Sequence, residues 1–220
     1  MRIKAAVFDF DGTLFDSMGV WDTLGANYLR RKGKQPPADL TDRIKTMTLR
    51  EAALLFSQEF GVDLPVEVII RELDELAASA YREEILPKPG AEAFVRELGS
   101  RGIRCCIATA TDRTLIEAAL ERCGMADCFS KIVTCGEVGC GKTKPDVFRR
   151  AMELLEADRD STVVFEDALH AAETAKRDGF FTIGVYDVYE SHPGDLRAVC
   201  DGWLPGFEDP GIFWKIAAEH

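Results

Sequence analysis

Short runs of apolar residues recur along the chain and are typical of β-strands that are buried on both faces. The five runs cover residues 3–10, 104–109, 131–134, 162–165 and 181–185. Segments with apolar residues at helical spacing lie between the later runs, at 91–98, 114–123, 146–155 and 168–176. Strands and helices in alternation predict an α/β fold, a doubly wound, Rossmann-like parallel sheet with helices on both faces.

Residues 17–86 interrupt this alternation because they contain no strand-like run. Their apolar spacing predicts three helices, over 18–31, 40–60 and 65–84. An all-helical segment placed directly after the first strand is typical of an inserted domain.

We therefore predict two domains, a core made of residues 1–16 and 87–220 and a helical cap made of residues 17–86. The stiff sequence Pro87-Lys88-Pro89-Gly90 follows the cap. Such a linker suits a domain that closes over a site at the end of the first strand. A helical elaboration with no mobile role is the alternative.

Composition and charge limit the classes of function. The chain has 220 residues and a formal net charge of -11, so we expect neither nucleic acid nor anionic membrane as a partner. The sequence shows no signal-peptide pattern and no apolar stretch of bilayer length, and we expect a cytoplasmic protein. Seven cysteines without a C-x-x-C pair and only three histidines argue against structural zinc and a disulfide framework. The oligomeric state stays open.

The first candidate chemistry is the pair Asp9 and Asp11, which follows the first predicted strand in the sequence Asp9-Phe10-Asp11-Gly12-Thr13. Ligands of open parallel sheets bind beyond the carboxyl ends of the strands. Neighbouring carboxylates repel each other, and a hard divalent cation or a raised pKa is the usual remedy. The pair therefore predicts a reaction centre, with a capped turn as the alternative.

Polar residues at the ends of other predicted strands strengthen this prediction. Thr109 offers a hydroxyl, Lys144 offers positive charge before the helix that begins near Pro145, and Glu166-Asp167 adds two acids. Each has an ordinary explanation as a turn residue, a solvated charge or a helix start. Their shared position at strand ends favours a common site.

A competing pattern lies at residues 136–143, which fit the phosphate-binding sequence G-x-x-x-x-G-K-[ST] and follow the run at 131–134. Alone it would predict a nucleotide-binding ATPase, with residues 163–167 as its acidic strand. Pro145 removes an amide where the helix of that motif continues, and the acidic strand comes too early. This interpretation also leaves residues 9–13 without a role.

Most of the chain resembles the haloacid dehalogenase superfamily, in the subgroup with an α-helical cap that includes β-phosphoglucomutases and phosphoglycolate phosphatases. The resemblance lies in four motifs: D-x-D-G-T at 9–13, Thr109, Lys144 in K-P-D-V-F, and Glu166-Asp167. It implies that Asp9 is the nucleophile and a metal ligand. It further implies that Asp11 is the acid/base group and binds the metal through its backbone carbonyl, and that Glu166 and Asp167 complete a magnesium shell.

The same resemblance implies that Thr109, Ala110 and Lys144 hold a phosphoryl group. The implied activity is magnesium-dependent hydrolysis of a small phosphorylated metabolite, such as a sugar phosphate, through an aspartyl-phosphate. A phosphosugar mutase is the main alternative, although the cap segment 45–51 lacks the glycine and the arginine spacing that mutases use. A catalytically silent binding protein is a further alternative. Arg50 in the cap is a candidate substrate contact, with a solvated surface charge as the ordinary explanation.

Overall fold

The computed structural model describes residues 3–44, 47 and 49–220. The chain divides into two compact units: one consists of the chain up to Asp16 together with Ile85–His220, and the other is Ser17–Glu84. In chain order the elements are β1 (Ala5–Phe8), α1 (Met18–Arg31), α2 (Leu40–Ile44), α3 (Leu49–Gln58), α4 (Val66–Glu83), α5 (Ala91–Ser100), β2 (Arg104–Thr109), α6 (Arg113–Arg122), β3 (Lys131–Thr134), α7 (Cys135–Val138), α8 (Asp146–Leu154), β4 (Thr162–Glu166), α9 (Leu169–Arg177), β5 (Phe181–Val185), α10 (Pro193–Val199), β6 (Gly202–Leu204) and α11 (Pro210–Glu219). Among the described helices, none combines the length and the apolar character needed to cross a bilayer.

The first unit is built on a six-stranded parallel sheet with the strand order β3-β2-β1-β4-β5-β6. Strand β1 lies between β2 and β4, and its Val7 is level with Cys106 of β2 and Val164 of β4. The chain therefore extends the sheet first on one side of β1 and then on the other. This order confirms the predicted doubly wound α/β fold, and it places the reversal of strand order between β1 and β4.

Successive side chains of a strand point to opposite faces of the sheet, and every residue of β1 is buried, so both faces of the sheet are covered there. Val7 packs with Phe148 of α8 in one fully buried cluster. On the other face the ring of Phe8 stacks on Phe165 with 4.4 Å between centroids, and Phe94 of α5 meets Phe8 edge to face at 6.3 Å. This double burial explains why the central strands are continuous apolar runs.

The five predicted strands are present, but the sheet has a sixth, β6, that the sequence analysis does not predict. This short strand pairs only with β5, at the edge of the sheet. A Cβ at Gly202 would lie 2.6 Å from Ile216 and 2.8 Å from Ile183, so a larger residue there would require the neighbouring isoleucines to shift. Strand β1 is also shorter than predicted, since residues 3–4 and 9–10 lie outside it.

The second unit is helical and has a core of its own. Tyr28, Phe56, Ile69 and Leu73 are buried together in it. The predicted helix over 40–60 is wrong: the structure has two separate helices, α2 and α3, and Met47 between them is not helical. Residues 45, 46 and 48 lie outside the described residues, and they belong to the cap segment 45–51 on which the argument against a mutase rests.

The two chain segments that leave and enter the first unit are paired with each other. The N–H of Asp16 donates to the carbonyl of Leu86 at 3.0 Å, and the N–H of Lys88 donates to the carbonyl of Leu14 at 2.8 Å. Ile85 and Leu86, which the sequence analysis assigns to the cap, belong to the first unit.

Candidate active site

Three neighbouring strands bring the candidate residues to the edge of the sheet that is formed by the carboxyl ends of the strands. Asp9 follows β1, Thr109 is the last residue of β2, and Glu166 is the last residue of β4. The N–H of Asp9 donates to the carbonyl of Phe165 at 3.0 Å, which fixes the end of β1 against β4. Because these strands are parallel and adjacent, their carboxyl ends meet at the place where doubly wound sheets bind ligands.

Three buried carboxylates form a compact cluster at this edge. Asp9, Glu166 and Asp167 each place one oxygen so that all three lie within 4.8 Å of one another. The hydroxyl of Thr13 donates to Oδ1 of Asp167 at 2.6 Å, and Thr13 is itself buried. Three oxygen donors at this spacing suit a hard divalent cation such as magnesium.

Lys142 lies inside this cluster, and the sequence analysis does not assign it a role there. Its Nζ donates to Oδ1 of Asp9 and, at 2.5 Å, to Oε1 of Glu166, and its side chain is only 7% exposed. Lys144, to which the sequence analysis assigns phosphate binding, is exposed. The N–H of Lys144 donates to the carbonyl of Gly141 at 3.1 Å. Of these two lysines, Lys142 is therefore the one that the structure pairs with the carboxylates.

Burial and mutual repulsion perturb the ionisation of the cluster. Burial raises the pKa of Asp9 to about 6, against the opposing effect of the Lys142 ammonium. Burial also raises the pKa of Asp167 well above its usual value, and the carboxylates of Asp9 and Glu166 add to this effect. Burial would lower the pKa of Lys142, but the two carboxylates outweigh it and raise that pKa. A single ammonium does not balance three buried carboxylates, and this deficit fits a site for a divalent cation.

Asp11 takes part in a second group of contacts. Its Oδ2 accepts a hydrogen bond from the hydroxyl of Thr111 at 2.6 Å, and the N–H of Thr111 donates to Oγ1 of Thr109 at 3.1 Å. The carboxylate of Asp11 is not a member of the cluster around Asp9. Ala110, between the two threonines, is exposed at the surface. The structure thus links Asp11 to Thr109 through Thr111, a residue without an assigned role in the sequence analysis.

Arg50, the candidate substrate contact, lies in the helical unit. Its NH1 group is 3.4 Å from Oε1 of Glu67, and both side chains are more than half exposed. Such exposed ion pairs are weak. The structure thus gives Arg50 a solvated position on α3.

The segment that fits the ATP-binding pattern has a different structure. Residues 136–138 belong to the short helix α7, whose N-terminus is capped by the Oγ1 of Thr134 accepting from the N–H of Glu137. Glu137 in turn accepts from the N–H of Thr134 at 3.0 Å. A helix whose first turn is capped by its own side chains does not present a loop of free amides to a phosphate. Lys142 of the same pattern pairs with carboxylates instead.

Comparisons with known proteins agree with this geometry. The profile of haloacid dehalogenase-like hydrolases matches residues 3–179. The bifunctional riboflavin kinase/FMN phosphatase of Arabidopsis thaliana is 31% identical over 183 residues, 83% of this chain and 48% of that protein, so the chain spans about half of its length. The phosphorylated carbohydrates phosphatase of Thermotoga maritima is 25% identical over 80% of this chain and 82% of its own. The crystal structure of CbbY from Rhodobacter sphaeroides in complex with phosphate superposes with a TM-score of 0.77 at 26% identity, covering 96% of this chain and 97% of that one.

The profile match spans both the first carboxylate segment and the strand that ends in Glu166. The fold, the cluster of acids at the ends of β1 and β4, and the matched profile therefore point to one conclusion. This chain belongs to the haloacid dehalogenase-like hydrolases.

Proposed function

We propose that this protein is a magnesium-dependent phosphatase that hydrolyses a small phosphorylated metabolite through an aspartyl-phosphate on Asp9. The main support is the position of Asp9, a buried carboxylate that shares a cluster with Glu166 and Asp167 and is held by Lys142. A carboxylate in such a setting is oriented and close to positive charge, as a nucleophile for phosphorus must be. The T. maritima phosphatase named for phosphorylated carbohydrates supports a sugar phosphate or a similar phosphomonoester as the substrate.

Asp9, Glu166 and Asp167 would hold the magnesium ion, which when bound offsets the negative charge of the phosphoryl oxygens. Lys142 fixes Oδ1 of Asp9, so Oδ2 is the oxygen we assign to the attack. A new bond forms between Oδ2 and phosphorus while the bond from phosphorus to the leaving oxygen breaks. Asp11 gives a proton to that leaving oxygen.

In the second step Asp11 removes a proton from water, the water oxygen attacks phosphorus, and Asp9 is released as a carboxylate together with inorganic phosphate. The hydroxyl of Thr111 holds Asp11 from the side of β2. Thr109 stands beside Thr111 at the end of β2 and is our candidate for holding a phosphoryl oxygen, together with Lys142 rather than Lys144. The helical unit, including Arg50, is our candidate for contact with the rest of the substrate.

The test is phosphate release from a panel of phosphorylated metabolites with and without magnesium. The variant Asp9→Asn removes the nucleophile, and Asp16→Asn makes the same chemical change at an exposed position of the same segment. We expect Asp9→Asn to lose at least about three orders of magnitude in turnover and Asp16→Asn to keep its activity. Equal activity in the two variants would remove the nucleophile assignment.

The same panel separates the alternatives. A requirement for glucose 1,6-bisphosphate, with isomerised sugar phosphate as the product, would identify a mutase. No magnesium-stimulated phosphate release from any compound would favour a binding protein. ATP binding that is lost in Lys142→Ala while turnover survives Asp9→Asn would favour an ATPase.

A further inference from the structure

Helix α9 begins directly after the carboxylates of the candidate metal site. Only Ala168 separates Asp167 from Leu169, the first residue of α9. Ala168 stands at the N-cap position, where a serine, threonine, aspartate or asparagine side chain usually accepts a hydrogen bond from the first turn. An alanine methyl group accepts none, so the N–H groups of this turn need an acceptor from elsewhere.

Glu190 provides such an acceptor from the loop that follows β5. Its Oε2 accepts from the N–H of Leu169 at 3.0 Å, and its Oε1 accepts from the N–H of His192 at 2.6 Å. The side chain of Glu190 is only 13% exposed, and its bond to Leu169 is partly buried. A negative charge at the N-terminus of a helix is also favoured by the helix dipole.

Within the first unit, a buried ion pair holds the loop that contains Glu190 to Lys88. Oδ2 of Asp187 lies 2.8 Å from Nζ of Lys88, and the two side chains are 3% and 12% exposed. Oδ1 of Asp187 accepts from the N–H of Tyr189 at 2.9 Å. These contacts hold the backbone on the N-terminal side of Glu190, so its carboxylate is presented to α9 from a fixed position.

Lys88 also connects this loop to the chain segment that contacts Asp167 of the candidate metal site. The N–H of Lys88 donates to the carbonyl of Leu14 at 2.8 Å. Leu14 follows Thr13, whose hydroxyl donates to Asp167 at 2.6 Å. Asp167 is thus held through its side chain by Thr13 and through the following backbone by Glu190, and both supports are joined through Lys88.

We propose that Glu190 is a positioning residue for the metal-binding carboxylates and acts as the N-terminal cap of α9 in place of residue 168. The proposal rests on the proposed function, because it takes Asp167 as a magnesium ligand. Without Glu190 the N–H of Leu169 loses its acceptor and the first turn of α9 loosens. Asp167 then samples more orientations, and the affinity for magnesium falls.

The test compares Glu190→Ala with Glu173→Ala, which removes the same charge from an exposed position on α9. Magnesium affinity is read from the rise in unfolding temperature during a magnesium titration, a measurement that does not depend on turnover. Amide hydrogen exchange reports the first turn of α9 directly. We expect Glu190→Ala to need about tenfold more magnesium for half-maximal stabilisation and to exchange the Leu169 amide faster, with Glu173→Ala unchanged in both.

A rescue variant distinguishes positioning from general damage. In Glu190→Ala with Ala168→Ser, a hydroxyl at the N-cap accepts from the N–H groups at positions 170 or 171 of the same turn. We expect part of the magnesium affinity to return. If Glu190→Ala does not fold, Glu190→Gln replaces it and should show a smaller shift in the same direction, because one acceptor oxygen remains.

The outcomes are separable. Equal magnesium affinity in the Glu190 and Glu173 variants would overturn the proposal while leaving the phosphatase intact. A lower unfolding temperature with unchanged magnesium affinity would show a purely structural role and would also overturn it. No stabilisation of the unaltered protein by magnesium would contradict the proposed metal site itself, and the positioning role would be lost with it.

Discussion

Replacing Lys142 by methionine is the sharpest test of how the active site is assembled. Methionine keeps most of the aliphatic length of the side chain but removes the ammonium, whose Nζ lies 5.7 Å from the centroid of the Phe148 ring. Lys144→Met makes the same change two residues away at an exposed position. The two variants therefore make the same substitution at a buried lysine that contacts the carboxylates and at an exposed lysine.

The magnitude follows from the contacts of Lys142. Its ammonium donates to Asp9 and to Glu166, and all three side chains are at least nine-tenths buried. Removing one partner of a buried ion pair typically costs about 3–5 kcal/mol, because the remaining charge stays buried and uncompensated. Exposed substitutions stay within about 0.5 kcal/mol. We therefore expect a difference of at least about 2.5 kcal/mol in the free energy of unfolding between the two variants.

Urea denaturation of the metal-free protein at pH 7.5 measures this difference, and phosphate release at saturating magnesium measures the effect on rate. Loss of the ammonium should lower turnover by about 10²–10³, as for other groups that stabilise charge in the transition state. Lys144→Met should keep both stability and turnover. Equal effects of the two variants, or a larger effect of Lys144→Met, would refute the placement of Lys142 in the site.

Three further predictions concern the same unit. Thr13→Val removes the buried hydrogen bond to Asp167 and should lower the free energy of unfolding, measured in urea, by about 1–3 kcal/mol. The control Thr23→Val, at an exposed helical position, should change this free energy little. A larger loss in Thr23→Val than in Thr13→Val would contradict the role of the buried bond. If Asp9 is a magnesium ligand, protons compete with the metal for it, because burial raises its pKa without metal to about 6 and the carboxylate is protonated below that pH. The magnesium affinity measured by calorimetry should then fall about tenfold between pH 7.5 and pH 5, and an unchanged affinity would speak against Asp9 as a ligand. Phe8→Ala opens a cavity against Phe165 in the core and should cost about 3–5 kcal/mol; a loss below 1 kcal/mol would mean that the stack contributes little.

The fold could be predicted from the sequence where burial leaves a clear pattern. Strands β1, β2 and β4 are central and covered on both faces, so each is an unbroken apolar run between polar turns. Strand β6 has only three residues and pairs on one side. Such a short edge segment does not show an apolar pattern from which a strand can be predicted. The break between α2 and α3 was also hidden, because the apolar spacing continues through it.

The candidate site could be predicted where chemistry coincides with the end of a strand. Asp9, Glu166 and Asp167 all follow apolar runs, and the structure brings them together. Lys142 lies in the loop between α7 and α8, where no helical or strand periodicity predicts the direction of a side chain. Only the ATP-binding pattern drew attention to it, and that pattern predicts contact with a nucleotide rather than with Asp9.

The charges of the cluster explain why a buried lysine is favourable there and why its single ammonium does not neutralise the three carboxylates. If Asp9, Glu166, Asp167 and Lys142 are all ionised, the cluster keeps two formal negative charges, and the protein as a whole is also strongly negative. A phosphate dianion would be repelled from such a site. A bound divalent cation would cancel this excess and would lower the pKa of Asp9, so that its carboxylate is ionised as the proposed attack requires. The charges that the fold buries therefore support the proposed role of magnesium, in addition to the chemistry of the phosphoryl group.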